Sequence, residues 1–245
     1  MTINTELTFI YFTWPGVCLL TAMKTNLALL ATGCAVLAIS ACSKSSSDSS
    51  SNARIIFANG SVGATSTSLA VNNTTLSNAS SIAYLGFTGY EAAPAGTATI
   101  TASLTGVGAL GTISTSLTAN ASYSVFDCGT VLADTLVLIA DNLPSASNSY
   151  AYVRLVNTSS DTTATAITAS VGNTSIGSNI AYAAASGFTQ VTPGSYTLTA
   201  FNVNKPANIA TLSNTQLNGG KIYTLMYSGN STQSVGFKLT IMPNN

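Results

Sequence analysis

Thr97-Ala98-Thr99-Ile100-Thr101-Ala102-Ser103-Leu104 alternates hydroxyl and apolar side chains without a break. Successive side chains of an extended chain point to opposite faces. Ala98, Ile100, Ala102 and Leu104 therefore share one side, and the hydroxyls the other. This is a half-buried strand. Tyr196, Leu198 and Ala200 repeat the pattern, and Val235, Phe237, Leu239 and Ile241 form another such face between Gly236, Lys238 and Thr240. Asn72-Asn73, Pro94-Ala95-Gly96, Pro193-Gly194 and Gly219-Gly220 punctuate these segments with residues that accept tight or left-handed turns.

The chain also repeats itself. Ile82-Ala83-Tyr84 recurs as Ile180-Ala181-Tyr182, a shift of 180 − 82 = 98, which also carries Asn59 to Asn157 and Gly96 to Gly194. Farther on the shift is 223 − 123 = 100, pairing Leu117 with Leu217, Tyr123 with Tyr223 and Gly129 with Gly229. An offset that changes by two residues implies a duplication with one loop insertion. The expected fold is all-β: two tandem, small, antiparallel β-sandwich domains of immunoglobulin-like type, at residues 53–142 and 150–245, with residues 143–149 as linker. Each copy carries a full series of strands and turns, so each is expected to bury its own core.

Of the 245 residues, 46% are apolar and 6% charged, with seven charges of each sign. No basic face is available for phosphates, so no nucleic-acid partner is expected. Histidine is absent, which removes Ser-His-Asp and Cys-His catalysis and imidazole-ligated zinc. Of the cysteines, Cys18, Cys34 and Cys42 precede the strand-rich region. Cys128 is alone within it, so no internal disulfide framework is available there.

From Met23, Lys24 gives a positive start, residues 27–39 are apolar, and Ser40-Ala41 precede Cys42. This is the layout of a secretory signal, too short to span a bilayer. Ile39-Ser40-Ala41-Cys42 resembles the lipobox of bacterial lipoproteins. The resemblance implies lipidation of the Cys42 thiol after cleavage before it, and durable membrane anchoring by several acyl chains. Residues 1–22 carry Glu6 and Trp14-Pro15-Gly16 and read as an over-extended start. Residues 23–41 are then the signal peptide, and residues 42–52 the lipidated cysteine with a flexible Ser-rich tether. Ser43 directly after the cysteine implies an outer-membrane destination in Gram-negative lipoproteins.

Tyr152-Val153-Arg154-Leu155-Val156-Asn157-Thr158-Ser159, Pro193-Gly194-Ser195-Tyr196-Thr197-Leu198 and Gly220-Lys221-Ile222-Tyr223-Thr224-Leu225 together resemble the bacterial family called domain of unknown function 4397. The first copy, with Phe57-Ala58-Asn59-Gly60-Ser61, matches less closely. The resemblance implies an exported β-sandwich, often in tandem and often on lipoproteins, and brings no catalytic residues with it.

Gly106-Val107-Gly108-Ala109-Leu110-Gly111 fits the dinucleotide-binding spacing, but a strand-like stretch follows where a helix is needed, so a hairpin loop is expected. Cys128 lacks a neighbouring base and reads as a buried strand thiol. Asp48, Glu91, Asp127, Asp134, Asp141 and Asp161 are spaced too widely for a local carboxylate pair or calcium loop, although Asp134 and Asp141 could meet at one end of a sandwich. The threonine row at Thr97, Thr99 and Thr101 falls on one strand per copy and reads as a solvated face, not an ice-binding array. Tyr84/Tyr182 and Tyr90/Phe188, shared by the copies, read as core packing. Arg54 and Arg154 read as surface or edge residues. No cofactor, metal or catalytic residue is expected. The expected function is a non-catalytic binding or interaction module for a glycan or envelope protein, with a purely structural envelope component second and a hydrolase with an unrecognised carboxylate site third.

Overall fold

The structure is a computed structural model that describes residues 51–161, 167–232 and 235–245. The expected over-extended start, signal peptide and lipidated Cys42, and nearly all of the expected tether, lie outside the described residues. The first copy contains β1 (Ala53–Asn59), β2 (Thr67–Val71), β3 (Thr74–Thr75), β4 (Glu91–Ala93), β5 (Gly96–Leu104), β6 (Gly108–Leu117), β7 (Ser122–Thr130) and β8 (Ala133–Ala140). They form two sheets, ordered β4-β1-β7-β8 and β3-β2-β5-β6. The second copy contains β9 (Ala151–Asn157), β10 (Ile167–Val171), β11 (Thr174–Ile180), β12 (Ala184–Ala185), β13 (Thr189–Val191), β14 (Gly194–Asn202), β15 (Lys205–Leu217), β16 (Ile222–Asn230) and β17 (Gly236–Pro243). Its sheets run β12-β9-β16-β17, with β13 also on β9, and β11-β10-β14-β15. The described residues are all-β, as two tandem sandwiches, and no strand pair joins one copy to the other.

The pairing is antiparallel with one exception in each copy. β1 runs parallel to β7, from Arg54↔Ser122 to Asn59↔Asp127, and β9 runs parallel to β16, from Tyr152↔Ile222 to Asn157↔Tyr227. Parallel neighbours need a long crossover. Here the chain supplies it by building the opposite sheet between the two strands.

The alternation read from β5 holds: Ala98, Ile100, Ala102 and Leu104 are buried, and the hydroxyls between them are more exposed. Leu69, Val71, Ile55, Phe57 and Val125 complete the first core, and Val153, Leu155, Val171, Leu198 and Leu225 are at the centre of the second. β1, β7, β9 and β16 do not alternate, and the structure gives the reason. Their second faces are buried as well, in a third apolar cluster of Ile56, Ala58, Phe126 and Cys128 with Val156, Met226 and Met242. The sheet holding β1 thus packs on the sheet holding β9. Each copy buries its own core, and the two copies share this third cluster as well.

Equivalent residues make reciprocal contacts across the shared core. Tyr84 of the first copy reaches Ser228 of the second at 3.0 Å. Tyr182, its counterpart, comes back to Gly129, where a Cβ would lie 2.6 Å from the Tyr182 hydroxyl. The shared aromatics do pack, but across the two copies.

Candidate functional site

The first copy has an open side. Asn72 and Asn73, with φ of 49° and 65°, make the tight turn between β2 and β3. β3 then stops after Thr75, and the chain loops out before Ile82 rejoins β2 opposite Thr67. In the second copy Val171 and Ile176 correspond to Val71 and Leu76 at a shift of 100, while Ile180 corresponds to Ile82 at 98. The first copy therefore holds two extra residues between Leu76 and Ile82, and the repeat offset changes more than once. β11 runs straight through this place, with Gly177 close against Leu155. In the first copy a groove of about 390 Å³ opens instead, lined by Thr74, Thr75, Ser77, Asn78, Glu91 and Pro94 beside Val71 and Leu76. Both oxygens of Glu91 accept from the main-chain N–H of Asn78, at 3.0 and 3.1 Å, which fixes the rim. Among the described residues β3 and β4 are edge strands of their sheets, and residues of both line the groove. No aromatic side chain lines it.

The shared interface holds a buried ionic network. Arg154 on β9 lies 2.6 Å from Asp141, just after β8, and both side chains are almost fully enclosed. Asp141 also accepts from Ser124 at 2.7 Å and from Tyr90 at 2.5 Å. Arg154 donates to Thr224 and Ser124, each at 2.8 Å, and lies 4.8 Å from the centre of the Phe188 ring. Burial, and then the Asp141 charge, holds the Tyr90 phenol far above the usual tyrosine range. Reading Arg154 as a surface residue is thus corrected: it is a buried cation whose counter-charge comes from the other copy. Arg54 lies over Tyr90 at 5.1 Å and donates to Ser122. A second groove of about 240 Å³, lined by Asn142, Arg154, Ser186 and Phe188 among others, opens onto this junction.

The acids that look scattered in sequence do form a pair. Gly129↔Asp134 pairing across the β7–β8 hairpin brings Asp134 against Asp127, while Asp141 lies apart with Arg154. Asp127 is fully buried, and burial, followed by the contact with Asp134, raises its pKa to about 9. Ser61 donates to Asp134 at 2.7 Å. Cys128 points to the opposite face of β7, is fully buried, and has its thiol pushed up by burial and then by the two acids. It is a buried strand thiol, as read. Gly106 and Gly108, with φ of 80° and 114°, form the hairpin tip, and strand β6 follows. The hydroxyl row is wider than one strand: Thr97, Thr99 and Thr101 lie opposite Ser116, Ser114 and Thr112 of β6.

The model of one family matches residues 53–168 and again residues 151–245. No curated protein matches the chain. Among solved structures, it is similar to a crystal structure described as a putative cell adhesion protein from Bacteroides uniformis. The identity is 10% and the TM-score 0.27, covering 78% of this chain and 96% of that one. Two family matches that together span both sandwiches show that the chain belongs to the family described as domain of unknown function (DUF4397).

Proposed function

We propose that the chain is a lipid-anchored, non-catalytic protein of the cell envelope, held in the outer membrane through Cys42, whose two sandwiches form one interaction module. The observation that carries the reading is the groove beside β3 and β4 of the first copy, where the second copy has the longer strand β11. Its lining of hydroxyls and amides around one carboxylate suits a neutral, hydrogen-bonding partner such as a glycan or an extended segment of an envelope protein. The hydrolase reading has its own observation in Asp127 and Asp134. Neither groove described above is lined by either acid, so a substrate has no access to them from those sides.

The test has two arms. An alkyne fatty acid fed to cells should label the wild type and leave Cys42→Ala unlabelled. In cross-linking captures with the anchored protein, Asn78→Ala and Ser77→Tyr together should lose partners that the wild type retains. An unchanged partner set would favour the purely structural role.

A further inference from the structure

The chain contains two Asn-Gly pairs, Asn59-Gly60 and Asn218-Gly219, and the fold treats them in opposite ways. Asn59 is fully buried. Its side-chain amide donates to the carbonyls of Ala64 and Ile82, and its Oδ1 accepts from the Ser61 N–H. The Gly60 N–H donates to the Asp127 carbonyl at 2.8 Å. Asn218, by contrast, is exposed in the turn between β15 and β16. Among the described residues nothing bonds its side chain or the Gly219 N–H. The turn itself does not call for this pair. At the 100 shift the first copy has Thr118-Ala119, and the same two bonds close its turn: the Thr118 N–H donates to Tyr123 and the Ala121 N–H to the Thr118 carbonyl, as Asn218 does to Tyr223 and Lys221 to Asn218. Gly219 answers to the linker instead, because a Cβ there would run into the Asn148 carbonyl oxygen. Gly220 then clasps the linker, its N–H shared between the carbonyls of Ser147 at 3.0 Å and Tyr150 at 2.8 Å.

We propose that Asn218-Gly219 is a site of self-modification, at which the chain deamidates itself and loosens its own linker. The Gly219 nitrogen, once it has given its proton to hydroxide, attacks the Asn218 side-chain carbonyl carbon. The new C–N bond closes a cyclic imide, and the side-chain nitrogen leaves as ammonia. Water then opens the imide at either carbonyl, so that one water is consumed for each ammonia released. One opening gives aspartate. The other gives isoaspartate, in which the main chain runs through the former side-chain carbon. Glycine favours the attack because no side chain hinders its nitrogen or restricts the rotation that brings it to the carbonyl. Isoaspartate lengthens the main chain by one carbon, just before a glycine that has no spare room against Asn148. The bond from Lys221 to the residue 218 carbonyl and the Gly220 clasp on the linker then cannot both be kept. Asn59 is protected because its amide and the Gly60 nitrogen are both held, so it reacts only when the fold opens locally.

The test ages the full-length chain in detergent at 37 °C, at pH 6 and at pH 8, and maps its peptides by mass. The peptide holding Asn218 should gain one dalton and split into an aspartate and an isoaspartate form, faster at pH 8. Asn59 should convert at least about tenfold more slowly while the protein stays folded, since only locally opened molecules react. Hydrogen exchange at residues 217–222 should quicken with age in the wild type. It should stay constant in Asn218→Gln, whose longer side chain closes the ring poorly. An Asn218 that converts no faster than Asn59 overturns the proposal, and conversion without quicker exchange overturns the loosening of the linker.

Discussion

The two copies end their cores in opposite ways at the same place. Asp127 of β7 corresponds to Tyr227 of β16, and Asp134, opposite Gly129, corresponds to Phe237, opposite Gly229. In the first copy this corner holds two carboxyls. In the second it holds two rings stacked 5.5 Å apart at 15°. The ring pair gains from burying apolar area and from offset stacking. The acid pair gives up that burial and must be neutralised instead. Both corners lie on the same backbone pairing, so the sandwich tolerates either chemistry.

The comparison can be broken most forcefully where the copies depend on each other. Asp141→Ala leaves Arg154 buried without its counter-charge and should cost about 3–5 kcal/mol in urea unfolding. Replacing both residues by apolar ones of similar volume should recover most of that loss. A cost below about 1 kcal/mol for Asp141→Ala would mean that the junction admits water and that the copies are only loosely joined.

A smaller effect separates the two corners by pH. Asp127 binds its proton more tightly folded than unfolded, with a pKa of about 9 against an ordinary value of 3.8. The folded state thus binds more protons between these values, and stability falls as pH rises through that window. Asp127→Asn should flatten the slope, with a change of about 1–3 kcal/mol at the alkaline end, the usual cost of an unsatisfied buried group. The second copy has no such pair at this place. Unfolding midpoints that are the same for wild type and variant at pH 5 and pH 9 would remove the distinction.

The smallest expected effect is at the β2–β3 turn, where Asn72 stands in the place of Gly172. Asn72→Gly relieves a left-handed φ but loses the bond that its side chain accepts from Thr99 at 2.8 Å. The two changes should cancel to within about 0.5 kcal/mol. A larger loss would show that the Asn72 side chain holds the groove rim in shape.

Strand character and duplication were legible because they depend on local spacing. Thr97–Leu104 declares its two faces within eight residues, and Tyr84 and Tyr182 declare the repeat. The contacts between copies were not legible. Arg154 lies in an apolar run, and its partner Asp141 belongs to the other copy, where no pattern of spacing connects them. The acid pair could have been found by counting. A tight turn at Val131-Leu132 sets Thr130 opposite Ala133 and Gly129 opposite Asp134, which puts Asp134 on the same face as Asp127, two residues along β7. Reading the acids by sequence distance, without folding the hairpin, hid them. The groove was hidden for a related reason: its two extra residues appear only when the repeat offset is followed segment by segment.

Gly60 faces Thr158, its own counterpart at the 98 shift, and a Cβ on Gly60 would fall 2.4 Å from the Thr158 hydroxyl. A surface that meets its equivalent in this way is the self-complementary kind by which two separate identical chains close a symmetric dimer. Such a dimer must carry the same residue on both sides of its axis, and two threonines here would collide. Joined in one polypeptide, the halves are released from that demand. One side can shrink to glycine while the other keeps its hydroxyl, donating to the Tyr227 carbonyl at 3.0 Å. Covalent fusion thus lets the axis be packed by unlike residues, and the same freedom lets one half carry an acid pair where the other carries two stacked rings.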